Sequence, residues 1–158
     1  MNPNIRRAEL SDVDQLGRLH SGCWSELYSS VLSPAILAEL GPETMTSLWK
    51  RFIARGDAYV QFVAEIDGEI VGFAGRGPGR ESGYEEAIEL YFIYVHPAHR
   101  RGGVGKALLK TADADYLWIA EFLRDTRAFY RKMKYFPDSV ARDGALFGAP
   151  LAEVRMAR

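Results

Sequence analysis

Three things the sequence nearly lacks restrict what this chain of 158 residues can be. It has one cysteine, Cys23, so no internal disulfide can form, and a reducing cytoplasm is the expected setting. No apolar run approaches the ~20 residues of a membrane-spanning helix, and Met1-Asn2-Pro3-Asn4-Ile5-Arg6-Arg7 has no secretory apolar stretch, so no membrane partner is expected. There is no excess of positive charge: the formal net charge is −1, which gives no footprint for nucleic acid. His20, His96 and His99 are scattered, and no His/Cys/Asp/Glu set has zinc spacing, so no metal is expected.

What is present is globular. The composition is 47% hydrophobic and 26% charged, which excludes disorder and a collagen-like chain, and the length suits one domain over 1–158. The charge is uneven. Residues 1–95 carry 8 Lys/Arg against 14 Asp/Glu, and residues 96–158 carry 12 against 7. Read functionally, one half meets a cation and the other an anion; chance scatter of solvated charge is the alternative.

The pattern of elements predicts an α/β (α+β) domain. Residues 4–9 read as a strand, and Ser11 with Asp14 as a capping box for a helix carrying Leu16, His20, Cys23, Trp24 and Leu27 on one face. Ser33-Pro34 and Gly41-Pro42 open two further helices. Tyr59–Ile66 and Glu69–Gly75 form a hairpin about Asp67-Gly68. Residues 76–83 form a glycine-rich loop, 86–95 a strand, 103–113 a helix, 116–120 a strand and 125–134 a helix. The tail is expected to hold two strands turning at Asp143-Gly144.

The most informative stretch runs from Glu89 through Ile93-Tyr94-Val95-His96-Pro97 to Arg100-Arg101-Gly102-Gly103-Val104-Gly105-Lys106-Ala107-Leu108-Leu109. A strand enters a glycine-rich turn and then an amphipathic helix. Glycines admit a ligand to the backbone N–H groups, and the helix N-terminus adds a positive dipole end, which suits phosphate. Arg100, Arg101 and Lys106 place three cations beside it. Neither the phosphate loop ending in Lys-Ser/Thr nor the dinucleotide Gly-x-Gly-x-x-Gly unit fits.

Arg100-x-x-Gly103-x-Gly105 resembles the Arg/Gln-x-x-Gly-x-Gly/Ala signature of the GNAT N-acetyltransferases, and Phe129-Tyr130-Arg131-Lys132-Met133 follows in family order. The resemblance implies a GNAT fold: a mixed, mostly antiparallel twisted sheet of about seven strands flanked by helices and splayed at its central strands. It implies acetyl-coenzyme A as acyl donor, its pyrophosphate on residues 100–106 and its pantetheine arm along Ile93, Tyr94 and Val95. It implies Tyr130 as general acid, with a core aromatic beside Phe129 as the alternative. Glu89 is the expected general base, unless Glu81, Glu85, Glu86 and Glu89 form a solvated acidic edge that steers the amine. Trp24 and Tyr28 line the acceptor pocket or the core. His20 reads as structural and Cys23 as core, with no motif for covalent catalysis. The acceptor is a primary amine on a small molecule, peptide or protein. A non-catalytic acyl-coenzyme A binding module and a homodimer through the terminal strands stay open.

Three positions depart from the family pattern. Leu123 stands where relatives carry an asparagine that contacts the cofactor arm, the helix at 103–113 is short, and Lys134 replaces a glycine, which should alter the turn into Tyr135-Phe136.

Overall fold

A computed structural model describes residues 2–158, so Met1 of the N-terminal reading lies outside the described residues. The strands are β1 (Asn4–Arg7), β2 (Val60–Ile66), β3 (Glu69–Pro78), β4 (Ile88–Val95), β5 (Tyr116–Ala120), β6 (Phe136–Leu146) and β7 (Ala149–Ala157). The helices are α1 (Val13–Tyr28), α2 (Pro34–Glu39), α3 (Pro42–Ile53), α4 (Val104–Ala112) and α5 (Arg124–Lys132). The strands form one open sheet in the order β1-β2-β3-β4-β5-β7-β6. Every pairing is antiparallel except that of β4 with β5.

Alternation along the strands puts a separate core on each face. Val13 and Leu16 of α1 and Trp49 of α3 pack on Val63, Ile70 and Phe73. On the opposite face, Val104, Leu108, Leu109 and Ala112 of α4 join Tyr130 of α5 over Phe62, Ala64, Val71 and Ala74. A third cluster, Leu32, Leu40 and Met45, meets Trp24 and Tyr28 and is reached by Leu146 and Ala149 at the tip of the β6–β7 hairpin.

Two local expectations are corrected. The Ser11/Asp14 capping box does not form, because a 3₁₀ turn at Leu10–Asp12 precedes α1. Asp12 instead accepts the Glu9 N–H at 2.8 Å and both terminal nitrogens of Arg6, which holds its carboxyl below the usual range. The last hairpin turns at Phe147-Gly148 and not at Asp143-Gly144. Phe147 (φ 48°) and Gly148 (φ 80°) supply the two left-handed residues of a tight turn, while Asp143 and Gly144 pair with Ala152 and Leu151 inside the sheet.

Candidate active site

The site is built around β4. At Tyr91 the strand carries a bulge, since Gly75 faces Phe92 and Arg76 faces Leu90. Its parallel pairing with β5 covers only Glu89↔Tyr116 and Leu90↔Leu117, whereas β5 pairs with β7 as far as Ala120. From Tyr91 to Val95 the edge of β4 that faces β5 therefore has no strand partner, and a cleft opens toward the C-terminal ends of both strands. Ile93, Tyr94 and Val95 line it, all half-buried.

At that open end the chain turns. His96 N–H donates to Val71 O (2.8 Å), and His96 Nδ1 accepts from Ala98 N–H. Arg100 Nε donates to Val95 O at 3.0 Å, and its terminal nitrogens grip both oxygens of Glu26 on α1 at 2.6 and 2.7 Å. That fork ties the turn to α1, so Arg100 is not the free cation expected beside a phosphate. Arg101 (φ 64°) and Gly103 (φ 88°) then take left-handed conformations. The N–H groups from Arg101 to Lys106, including Gly102, Val104 and Gly105, donate to no backbone carbonyl or side chain among the described residues. The first bond of α4 runs from Ala107 N–H to Gly103 O. Arg101 and Lys106 are exposed and carry no ion pair among the described residues. Unpaired amides at a helix N-terminus are an arrangement able to hold an anion.

Beside the cleft sits a cluster of phenols. Tyr130, on α5, is 3% exposed, and burial pushes its pKa well up, with Tyr135 and Tyr28 adding to the shift. The pKa values of Tyr28 and Tyr94 are both raised, chiefly by burial. Trp24 stacks at a tilt on Tyr28 at 5.1 Å, and Phe147 meets its other side at 5.8 Å. His20 accepts from Trp49 Nε1 at Nδ1 (3.1 Å), which assigns its proton to Nε2, and burial pulls its pKa down to about 4. Burial pushes the Cys23 thiol up to about 11, away from the thiolate a nucleophile needs.

The acidic loop before β4 is arranged differently. Glu89 is 1% exposed; it accepts from Arg80 N–H (3.1 Å), from Arg80 Nε and Nη2 (3.2 and 2.5 Å) and from the Tyr116 hydroxyl (3.1 Å). Glu81 binds Arg155 Nη1 (2.8 Å) and the Trp118 indole N–H. Arg155 also holds Asp138 (2.6 Å) and lies over the Tyr84 ring. Two of the four acids expected to face an amine are thus occupied by arginines, and Glu85 and Glu86 are exposed. Arg80 and Arg155 carried no local cue in the sequence; Arg155 and Glu81 are 74 residues apart.

Residues 57–135 match the family described as the acetyltransferase (GNAT) domain. The chain belongs to the GNAT acetyltransferase family. It is 31% identical over 163 residues to the uncharacterized N-acetyltransferase YuaI of Bacillus subtilis, covering 95% of this chain and 89% of that one. Its fold is that of the PaiA N-acetyltransferase of Thermoplasma acidophilum, solved in complex with coenzyme A (TM-score 0.70, 17% identity, all of both chains). It is likewise that of the acetyltransferase YncA of Salmonella typhimurium with acetyl-coenzyme A (TM-score 0.68, 19% identity, 99% and 92% covered).

In this acetyltransferase Leu123 stands immediately before α5, half-buried, with its N–H on Ala120 O at 3.1 Å. The α4 helix has nine residues and ends with Asp113 in the left-handed region, joined to Arg158 at 2.7 Å. Lys134 stands in the turn from α5 into Tyr135-Phe136. It adopts φ 70° as a glycine would, and Tyr135 N–H reaches Tyr130 O at 3.0 Å. Among the described residues no helix is long and apolar enough to cross a membrane, and no group of three His/Cys/Asp/Glu is placed to hold a metal ion.

Proposed function

We propose that residues 1–158 act as one N-acetyltransferase domain that moves an acetyl group from acetyl-coenzyme A to a primary amine by direct transfer in a ternary complex. One observation supports this reading: the unpaired amides from Arg101 to Lys106 lie at the open end of the β4–β5 cleft, and buried Tyr130 is near enough to Tyr94 of β4 to help raise its pKa. The amides, with Arg101 and Lys106, would take the pyrophosphate, and the free edge of β4 at Ile93–Val95 would take the pantetheine arm. A β4 amide there would stabilise the oxygen charge of the reacting carbonyl. The amine nitrogen bonds the carbonyl carbon, the carbon–sulfur bond breaks, and Tyr130 protonates the sulfur. Burial keeps the proton on Tyr130 until the thiolate forms, and it raises the basicity of a thiolate beside it as well as the pKa of the phenol.

For Glu89 the bonding favours a different role from the base. Its lone pairs are engaged by Arg80 and Tyr116, so taking a proton from the amine would require breaking one of those bonds. In this reading the amine loses its proton to water, and Glu89 holds the paired end of β4. A cytoplasmic setting suits the reduced Cys23.

The test is release of coenzyme A from acetyl-coenzyme A across a panel of amines. Tyr130→Phe should lower turnover roughly a hundredfold while acetyl-coenzyme A affinity stays within about twofold; unchanged turnover removes Tyr130 as the acid. A flat panel with tight acetyl-coenzyme A binding would favour the acyl-coenzyme A binding module, for which Leu123 is the sequence feature.

A further inference from the structure

Outside the donor cleft, a pocket of about 480 Å³ opens where β5 runs into α5, walled by the end of α1 and the start of β7. Val31, Phe122 and Leu151 give it an apolar lining, and Arg124, Arg127 and Glu121 give it charge. It lies at the C-terminal end of β5, the same end at which the β4–β5 cleft opens, because the two strands are parallel. Carboxyl ends of such strands are where open α/β sheets take ligands. Two contacts link it to the phenol cluster. The Phe122 ring meets Tyr28 at 6.4 Å, edge to face, and Arg127 precedes Tyr130 by three residues on α5, so the two are neighbours on the helix.

Arg6, Arg80, Arg100, Arg142, Arg155 and Arg158 each hold a carboxylate. Arg124 and Arg127 hold none among the described residues, although Glu121 shares their pocket. Arg55, Arg76 and Arg101 also hold no carboxylate among the described residues, but among the arginines only Arg127 has a buried side-chain nitrogen without a partner there. Arg127 is fixed by its bond to Glu121 O at 3.1 Å, yet its Nε–H is buried with no partner. A buried donor left unpaired is unfavourable. Both arginines also stand at the start of a helix, where the dipole disfavours cations and Asp125 alone offsets them. A local rule broken twice, beside a cavity, is the pattern of a binding site.

We propose that this pocket is the acceptor subsite of the transferase and that it recognises a carboxylate on the amine substrate, with Arg124 and Arg127 as the recognising pair. Glu121 meets the ammonium end, and Val31, Phe122 and Leu151 take an apolar body. The acceptor class is a small zwitterion of the apolar amino-acid type, and polyamines are disfavoured. The proposal rests on the transferase reading for its catalytic arm and on binding alone for the other.

Coenzyme A release is measured with leucine and with leucinamide. The expected KM for leucine is at least tenfold lower, and Arg124→Gln or Arg127→Lys removes that difference while leaving leucinamide turnover and acetyl-coenzyme A affinity within about twofold. Separately, N-acetylleucine and N-acetylleucinamide are titrated calorimetrically into the protein with coenzyme A, and the same tenfold preference is expected. Equal values for acid and amide, or variants that weaken both alike, overturn the carboxylate subsite. If no amine releases coenzyme A but N-acetylleucine keeps its preference, the subsite stands and the transfer reading falls. If leucinamide serves as well as leucine, transfer stands and the subsite falls.

Discussion

The loops on either side of β4 have opposite charge, and only the second leads into a helix N-terminus. Before the strand, residues 79–87 are acid-rich, yet Glu81 is held by Arg155 and Trp118, and the loop's Arg80 holds Glu89. After the strand, residues 96–103 are basic, Arg100 is fixed by Glu26, and the amides that follow are unpaired. Both loops use an ion pair to fix their place, and both contain N–H groups with no acceptor among the described residues, Glu81, Ser82 and Gly83 in the first and Arg101 to Lys106 in the second. Only the second set runs into the N-terminus of a helix, so helix position, and neither charge nor unmet bonding alone, distinguishes the site from the scaffold.

The largest effect is expected where the pinned loop is cut. Glu89→Ala leaves Arg80 and Tyr116 without their acceptor and should cost about 3 kcal/mol by denaturant unfolding, toward the low end for a broken buried pair because the Arg80 side chain is 59% exposed. Acetyl-coenzyme A affinity should hold within about twofold. The conservative Glu89→Gln should leave the shape of the pH–rate profile unchanged; loss of its acidic limb would restore Glu89 as the base.

Acid should act on both loops at once, through His20, which packs against Phe92 and Tyr94 of β4. Its folded pKa of about 4 lies below the ordinary 6.5, so between those values the unfolded chain binds more proton. Stability is full above pH 6.5 and declines as pH falls toward 4, by about 2 kcal/mol at pH 5. Asp12 and Glu26, both depressed by arginines, add their losses at lower pH. His20→Asn should flatten the upper part of this curve in thermal scans from pH 7 to pH 5.

Breaking the open loop should read out in affinity. Gly103→Val puts a β-branched residue at φ 88°, displaces the amides and should raise the acetyl-coenzyme A dissociation constant about tenfold by calorimetry. The smallest effect separates the two uses of a left-handed residue. Lys134 bears φ 70° outside the turn's ligand surface, so Lys134→Gly should gain about 1 kcal/mol in thermal unfolding with affinity unchanged. An affinity change on Lys134→Gly would mean that this turn also shapes the cleft.

Much of the fold was legible because its cues are local. Asp67-Gly68 turned where expected, Ser33 caps α2 through its hydroxyl, and β5 spans Tyr116–Ala120 as its apolar run implied. The final turn was misplaced because Asp-Gly is the commoner pair, while Phe147 takes its left-handed conformation with its ring packed on Trp24. The glycine turn was legible for the same local reason.

The sequence by itself determined most of the elements, the family and the place of the glycine turn, since each rests on residues within a few positions of one another. Only the tertiary structure decided which charges are free. Arg100 with Glu26 and Arg155 with Glu81 are pairs formed across 74 residues, and the buried, unpartnered Nε–H of Arg127 has no sign in the sequence. An ion pair depends on distance in space, and the sheet sets that distance when it brings remote strands and helices together.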